Sequence, residues 1–190
     1  MNQSLTKRLF FWYGLYYGIA SILMFTVIYA VNFEYFGRIF MLMLLSMLLL
    51  VTFLTMGGIA ERKANGGYLK YVEAIKYLFF IGVIGYIVNL IFTIVFSNFI
   101  DPDFNKNLGE VIKESTMKWM QDMNVPDEKI DAQMLAMDKQ MANYNSPLSY
   151  LKQLFGGVAM ATLFAFICAM FVKRNPPEKI VDFKTLDTEN

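Results

Sequence analysis

Four stretches of this chain carry no Asp, Glu, Lys or Arg and are each long enough to cross a bilayer: Phe10–Val31, Ile39–Ile59, Leu78–Phe99 and Leu154–Val172. At a rise of ~1.5 Å per residue, each reaches about the ~30 Å of a hydrocarbon core. Inside lipid the backbone has no water to bond to, so an open chain that crosses must bond to itself as a helix. Buried helices of a soluble core would need neither that length nor that number. The expected fold class is all-α: a polytopic membrane protein with four transmembrane helices and an extramembrane helical hairpin between helices 3 and 4.

Composition agrees with a lipid solvent and narrows the chemistry. Of 190 residues, 56% are hydrophobic and 17% charged, against ~25% charged in soluble domains. A net charge of +1 gives no sign of nucleic-acid binding. There is no histidine, and the single cysteine, Cys168, lies inside an apolar run. That leaves no disulfide framework, no Cys/His zinc site and no histidine base. The expectation is a protein that is not an enzyme and holds no cofactor or metal. Lys7 and Arg8 precede the first apolar run as in a signal peptide, but the run is too long and aromatic, so an uncleaved first helix is expected.

Basic residues set the expected orientation. The short loop 32–38 has one, Arg38, whereas the turn 60–76 has four, Arg62, Lys63, Lys70 and Lys76. Both termini are therefore expected in the cytoplasm, with a cytoplasmic tail at 173–190 and the transmembrane domain within 1–172. The loop 101–152 is net negative and becomes the external, periplasmic unit. Leu108, Val111, Ile112, Ser115 and Trp119 recur at helical spacing; Asn124-Val125-Pro126-Asp127 breaks that helix and starts a second, running to about residue 143. Ser146-Pro147 reads as a cap and first turn of the last helix.

Without charged groups in the spans, the informative constellations are small and polar residues. Gly14-x-x-x-Gly18 in the first span, and Gly157, Ala161, Ala165 and Ala169 at four-residue steps in the last, form small-residue faces. Such faces let helix backbones approach closely, either within the chain or against a membrane-protein partner or second copy. In the third span Gly82, Gly85, Asn89, Thr93 and Ser97 share one face. That stripe reads as interhelical hydrogen bonding in the bundle, or as a lining for a substrate or lipid headgroup. The absence of intramembrane charge argues against a proton-coupled pump.

Outside the spans, methionines of the hairpin, including Met134, Met137 and Met141, fall on one helical face. They are expected as a hairpin surface that packs on a helix, the membrane or a protein, with thioether binding of Cu(I) the sharper alternative. Asp101 and Asp103 flank Pro102 as a turn that caps the next helix, or as a cation site. Glu61, Arg62, Lys63, Lys70, Glu73 and Lys76 read as topology-setting charge or as a headgroup patch. Asn65-Gly66-Gly67 reads as a turn that requires positive φ.

Three short motifs around the third span carry a resemblance. Gly66-Gly67-Tyr68-Leu69, Ala74-Ile75-Lys76 and Ile100-Asp101-Pro102-Asp103-Phe104 resemble a family of small four-span proteins common in Bacteroidota, catalogued as domain of unknown function 4199. The resemblance covers about Thr6–Val172 and implies an inner-membrane protein of a diderm bacterium; it supplies no activity and no catalytic residues. The expected function is an integral inner-membrane protein that serves as an accessory or scaffolding subunit of a membrane complex. The alternative is a small transporter, channel or lipid-binding protein.

Overall fold

The computed structural model describes residues 3–141, 144 and 146–176. Six helices follow in order: α1 (Gln3–Val31), α2 (Ile39–Ala64), α3 (Tyr71–Val95), α4 (Phe104–Asp122), α5 (Asp127–Met141) and α6 (Pro147–Val172). A 3-10 turn, Phe33–Gly37, joins α1 to α2, and α3 runs on into a π-helical turn, Phe96–Ile100. Four helices are long and apolar enough to cross a membrane: Leu9–Val31, Phe40–Ala64, Tyr71–Ile100 and Pro147–Val172. This is an all-helical membrane protein; a single bridge between Leu69 and Arg174 is the only strand-like pairing among the described residues. The tail 177–190 lies outside them.

Local sequence accounts for the helix ends. Asn65 closes α2, and Gly66 and Gly67 follow at φ 74° and 90°, a region that costs residues with a Cβ but not glycine. Leu69 then exchanges both backbone hydrogen bonds with Arg174 (2.8 and 2.9 Å), tying this turn to the chain leaving α6. Glu73 accepts from the Lys70 N–H at the start of α3. Asn124 turns the chain from α4 to α5 at φ 54°, where its short polar side chain is tolerated. Ser146 caps α6 by accepting from the Ser149 N–H, with Pro147 in the first turn.

α3 is the centre of the bundle, in contact with α1, α2 and α6. Glycines set the approach. A Cβ on Gly14 or Gly18 would lie 2.8 Å from Ile84 or 2.7 Å from Val88, so α1 sits close on α3 only because both positions lack one. Gly82 faces Ala161 across the α3–α6 contact. At the end that carries the termini, Leu50, Leu54, Leu78, Ile81, Cys168 and Val172 pack into one core. At the opposite end an aromatic cluster forms around Phe36, Phe96 and Phe104, joined by Phe25, Tyr29 and Phe92.

α4 and α5 pack on each other through Ile130, Met134, Met137, Ile112 and Met120. Lys113 bonds both carboxylate oxygens of Asp138 at 2.8 Å, linking the two helices. The pair rests on the α1–α2 turn, where Gly37 meets Val111 and Ser115. Of the methionine alternatives, packing on a helix is the one seen, and the exposed hairpin surface needs correcting. Met134 and Met137 are only 7% and 8% exposed, and Met141 packs over Gly109. They are the internal filling of the α4–α5 pair rather than its surface. The Asp pair is also corrected in part. Asp103 occupies the cap position of α4 without a side-chain cap bond, and Asp101 instead accepts from the Tyr29 hydroxyl at 2.9 Å.

Candidate functional site

The distinctive site arises because α2 is buried at both ends and less closely packed in the middle, where only Leu42 and Met47 reach the core clusters. Toward the termini, Leu50, Leu54, Gly57, Gly58 and Glu61 are all buried. A Cβ on Gly58 would come within 2.8 Å of Val172 and 2.9 Å of Leu78, so the glycine is what admits α2 to the groove between α3 and α6. Next to it Glu61 is 0% exposed; its Oε1 accepts the Phe10 N–H at 2.9 Å and its Oε2 has no hydrogen-bond partner. Arg62 reaches the Val172 carbonyl at 3.2 Å. At the other end Phe36, just before α2, is buried in the aromatic cluster. Between these clamps, residues 40–49 include none that is buried.

Two tyrosines line the space beside α2. The ring of Tyr17 on α1 lies over Gly85, and the ring of Tyr86 on α3 lies over Gly157. Each glycine provides a notch for a ring that would collide with any larger residue. Two hollows flank α2. One of about 410 Å³ lies toward α6 and is lined by Met43, Met47, Gln153, Met160 and Phe164. The other, of about 330 Å³, lies toward α1 and is lined by Met24, Phe25, Ile28, Leu42 and Asn89. Tyr17, Ser46 and Tyr86 line both hollows, so they form the wall between them. No Asp, Glu, Lys or Arg lines either one.

Of the polar side chains in this cleft, Tyr86, Asn89, Ser21 and Gln153 are hydrogen-bonded, and the Tyr17 and Ser46 hydroxyls are not. The Tyr86 hydroxyl donates to the Gln153 carbonyl at 2.7 Å. The Asn89 amide donates to Ser21 Oγ at 3.1 Å, and Ser21 in turn donates to the Gly18 carbonyl. A hollow of about 460 Å³ beside the α4–α5 pair differs in kind: Lys113 and Asp138 line it and satisfy each other.

The residues singled out from sequence divide by role. Gly14, Gly18, Gly157, Ala161, Ala165 and Ala169 are all used inside the chain, in the α1–α3 and α3–α6 contacts or the core. Asn89 makes an interhelical bond and also borders the cleft, so both readings of the stripe meet there. Thr93 bonds back to the Asn89 carbonyl, and Ser97 is buried with its hydroxyl unpartnered. Sequence pattern did not single out Tyr17, Ser46, Tyr86 or Gln153. The one signal it held was a tyrosine deep inside each of two spans, where a hydroxyl needs a partner.

Fold and site together define a class: a four-span helical membrane protein with a cleft between its helices that no Asp, Glu, Lys or Arg lines. The family model described as protein of unknown function DUF4199 matches residues 12–174, and the chain belongs to that family. No curated protein and no solved structure matches the chain.

Proposed function

We propose that this is a lipid-binding membrane protein whose α2 cleft holds an amphiphile drawn from the surrounding bilayer. The observation that carries the reading is the pair of hollows walled by Tyr17, Ser46 and Tyr86, in a bundle whose other helix contacts are closed by glycine and alanine. A bilayer-facing helix surface gains nothing from a serine, whereas a binding cleft needs a few placed polar groups in an apolar wall. Native mass spectrometry of the protein released from mild detergent tests this. One amphiphile should be retained by the wild type and lost from Ser46→Trp, which fills the cleft. Equal retention by both proteins would refute it.

A second reading, an accessory or scaffolding subunit, is favoured by apolar residues that the α4–α5 pair leaves exposed: Trp119, Met123 and Leu135. The small-residue faces no longer support it, because the chain uses them itself. Recovery of a stoichiometric partner, lost on Leu135→Glu, would favour this reading. In either case the protein sits in the inner membrane of a bacterium with both termini cytoplasmic and α4–α5 periplasmic. The supporting observation is the gathering of Arg62, Lys63, Lys70, Lys173 and Arg174 at the termini end. In a Cys168→Ala background, a cysteine at Asn124 should label from outside and one at Gly66 should not; the reverse would overturn this orientation.

A further inference from the structure

We propose that the cleft selects an amphiphile with an uncharged oxygen-bearing head, a carbonyl or hydroxyl, seated between the Tyr17 and Ser46 hydroxyls; this rests on the cleft reading above. The first argument is the hydrogen-bond state of the hydroxyls. Several hydroxyls in the spans turn back on their own helix, Thr26 to the Ile22 carbonyl, Thr52 to Leu48 and Thr162 to Val158, although the Ser97 hydroxyl, outside the cleft, does not. Ser46 makes no such bond, and the Tyr17 hydroxyl has none either, although both line the two hollows. A hydroxyl left unpaired in a medium without water is costly. Two such donors at one wall fit a ligand that brings an acceptor. The Tyr86 oxygen, committed only as a donor, and the Asn89 side-chain oxygen add acceptors for a ligand hydroxyl.

The second argument is charge. The cleft walls contain no Asp, Glu, Lys or Arg, so a phosphate drawn into it would lose its hydration with no cation to receive it. The lining around the polar wall is methionine, leucine and phenylalanine, suited to an acyl chain or an apolar ring. The shared chemistry is that of an acylglycerol or a quinone, as opposed to a phospholipid.

Native mass spectrometry of the full chain in detergent, with dioleoylglycerol, decylubiquinone and dioleoyl phosphatidylglycerol offered separately at equal concentration, tests the proposal. At least one neutral probe should be retained about tenfold better than the anionic one. The Tyr17→Phe/Ser46→Ala double variant should lower that retention about tenfold, the loss expected for two modest hydrogen bonds. Which neutral probe responds identifies the source. Phenylalanine keeps the ring over Gly85, and Ser46→Ala alone, on the open side of α2, provides a variant whose fold is not at risk. Preference for phosphatidylglycerol, or neutral-probe retention unchanged in both variants, would overturn the proposal and leave the cleft reading standing. Failure of the wild type to retain any of the three would overturn both.

Discussion

The two halves of α2 are both largely apolar in sequence, the unburied half the more so, and they behave in opposite ways. From Leu50 to Glu61 the helix is buried at every turn; from Phe40 to Leu49 no residue is buried at all. What separates them is the size of the residue at each crossing. Gly57 and Gly58 let α2 sink against Ile81, Leu78 and Val172, whereas Ser46 and Met47 line a hollow together with Tyr17 and Tyr86. In a bilayer, lipid covers apolar surface as well as protein does, so close packing rather than hydrophobicity decides where helices meet. A cleft lined by two rings can therefore sit in a membrane bundle with no loss of apolar character.

Four substitutions test this contrast, beginning with the largest effect. Phe104→Ala removes the centre of the aromatic cluster, where the ring contacts Phe25, Phe36 and Phe96 at centroid distances of 5.3, 5.6 and 5.3 Å. It should cost roughly 3–5 kcal/mol, read as a large drop in melting temperature, and free the far end of α2. Gly58→Leu forces a side chain against Val172 and Leu78 and should cost about 1–3 kcal/mol by opening the other clamp. Glu61→Ala takes the acceptor from the Phe10 N–H and should cost roughly 1–2 kcal/mol in the same thermal assay, with Glu61→Gln restoring part of it. Ser46→Trp should change stability least, within about 0.5 kcal/mol, because its side chain enters existing space. A melting-temperature order in which Ser46→Trp exceeds Gly58→Leu would mean the two halves are packed alike.

The four apolar helices were plain in the sequence, because a run of twenty or so residues without a charge suits a bilayer and little else. The ends of α3 were marked there too, and the structure accounts for the short motifs. Gly66 and Gly67 supply positive φ, Leu69 bridges to Arg174, Ala74 is fully buried, Asp101 receives the Tyr29 hydroxyl and Phe104 fills the aromatic cluster. Other features could not be read along the chain. Whether a small-residue face serves the chain or a partner depends on which helix lies opposite; Ile84 and Val88 answer that for Gly14 and Gly18. Met134 and Met137 looked like a surface because their partner face, with Ile112, Met117 and Met120, is on another helix. Glu61 looked like one more charge in a basic turn, and only the placement of α1 shows it sealed from solvent. The cleft is the least legible of all, since it is lined by residues of α1, α2, α3 and α6 that lie far apart along the chain.

Site-specific photocrosslinking in native membranes tests the open middle of α2 most directly. A diazirine side chain placed singly at Met47 faces the cleft, at Leu48 faces outward with 64% exposure, and at Leu54 lies in the buried clamp. The account predicts a single retained amphiphile on Met47, mixed bulk lipid on Leu48 and only intrachain crosslinks from Leu54. Intrachain crosslinks from Met47 like those from Leu54, or the same lipid mixture on Met47 as on Leu48, would contradict it.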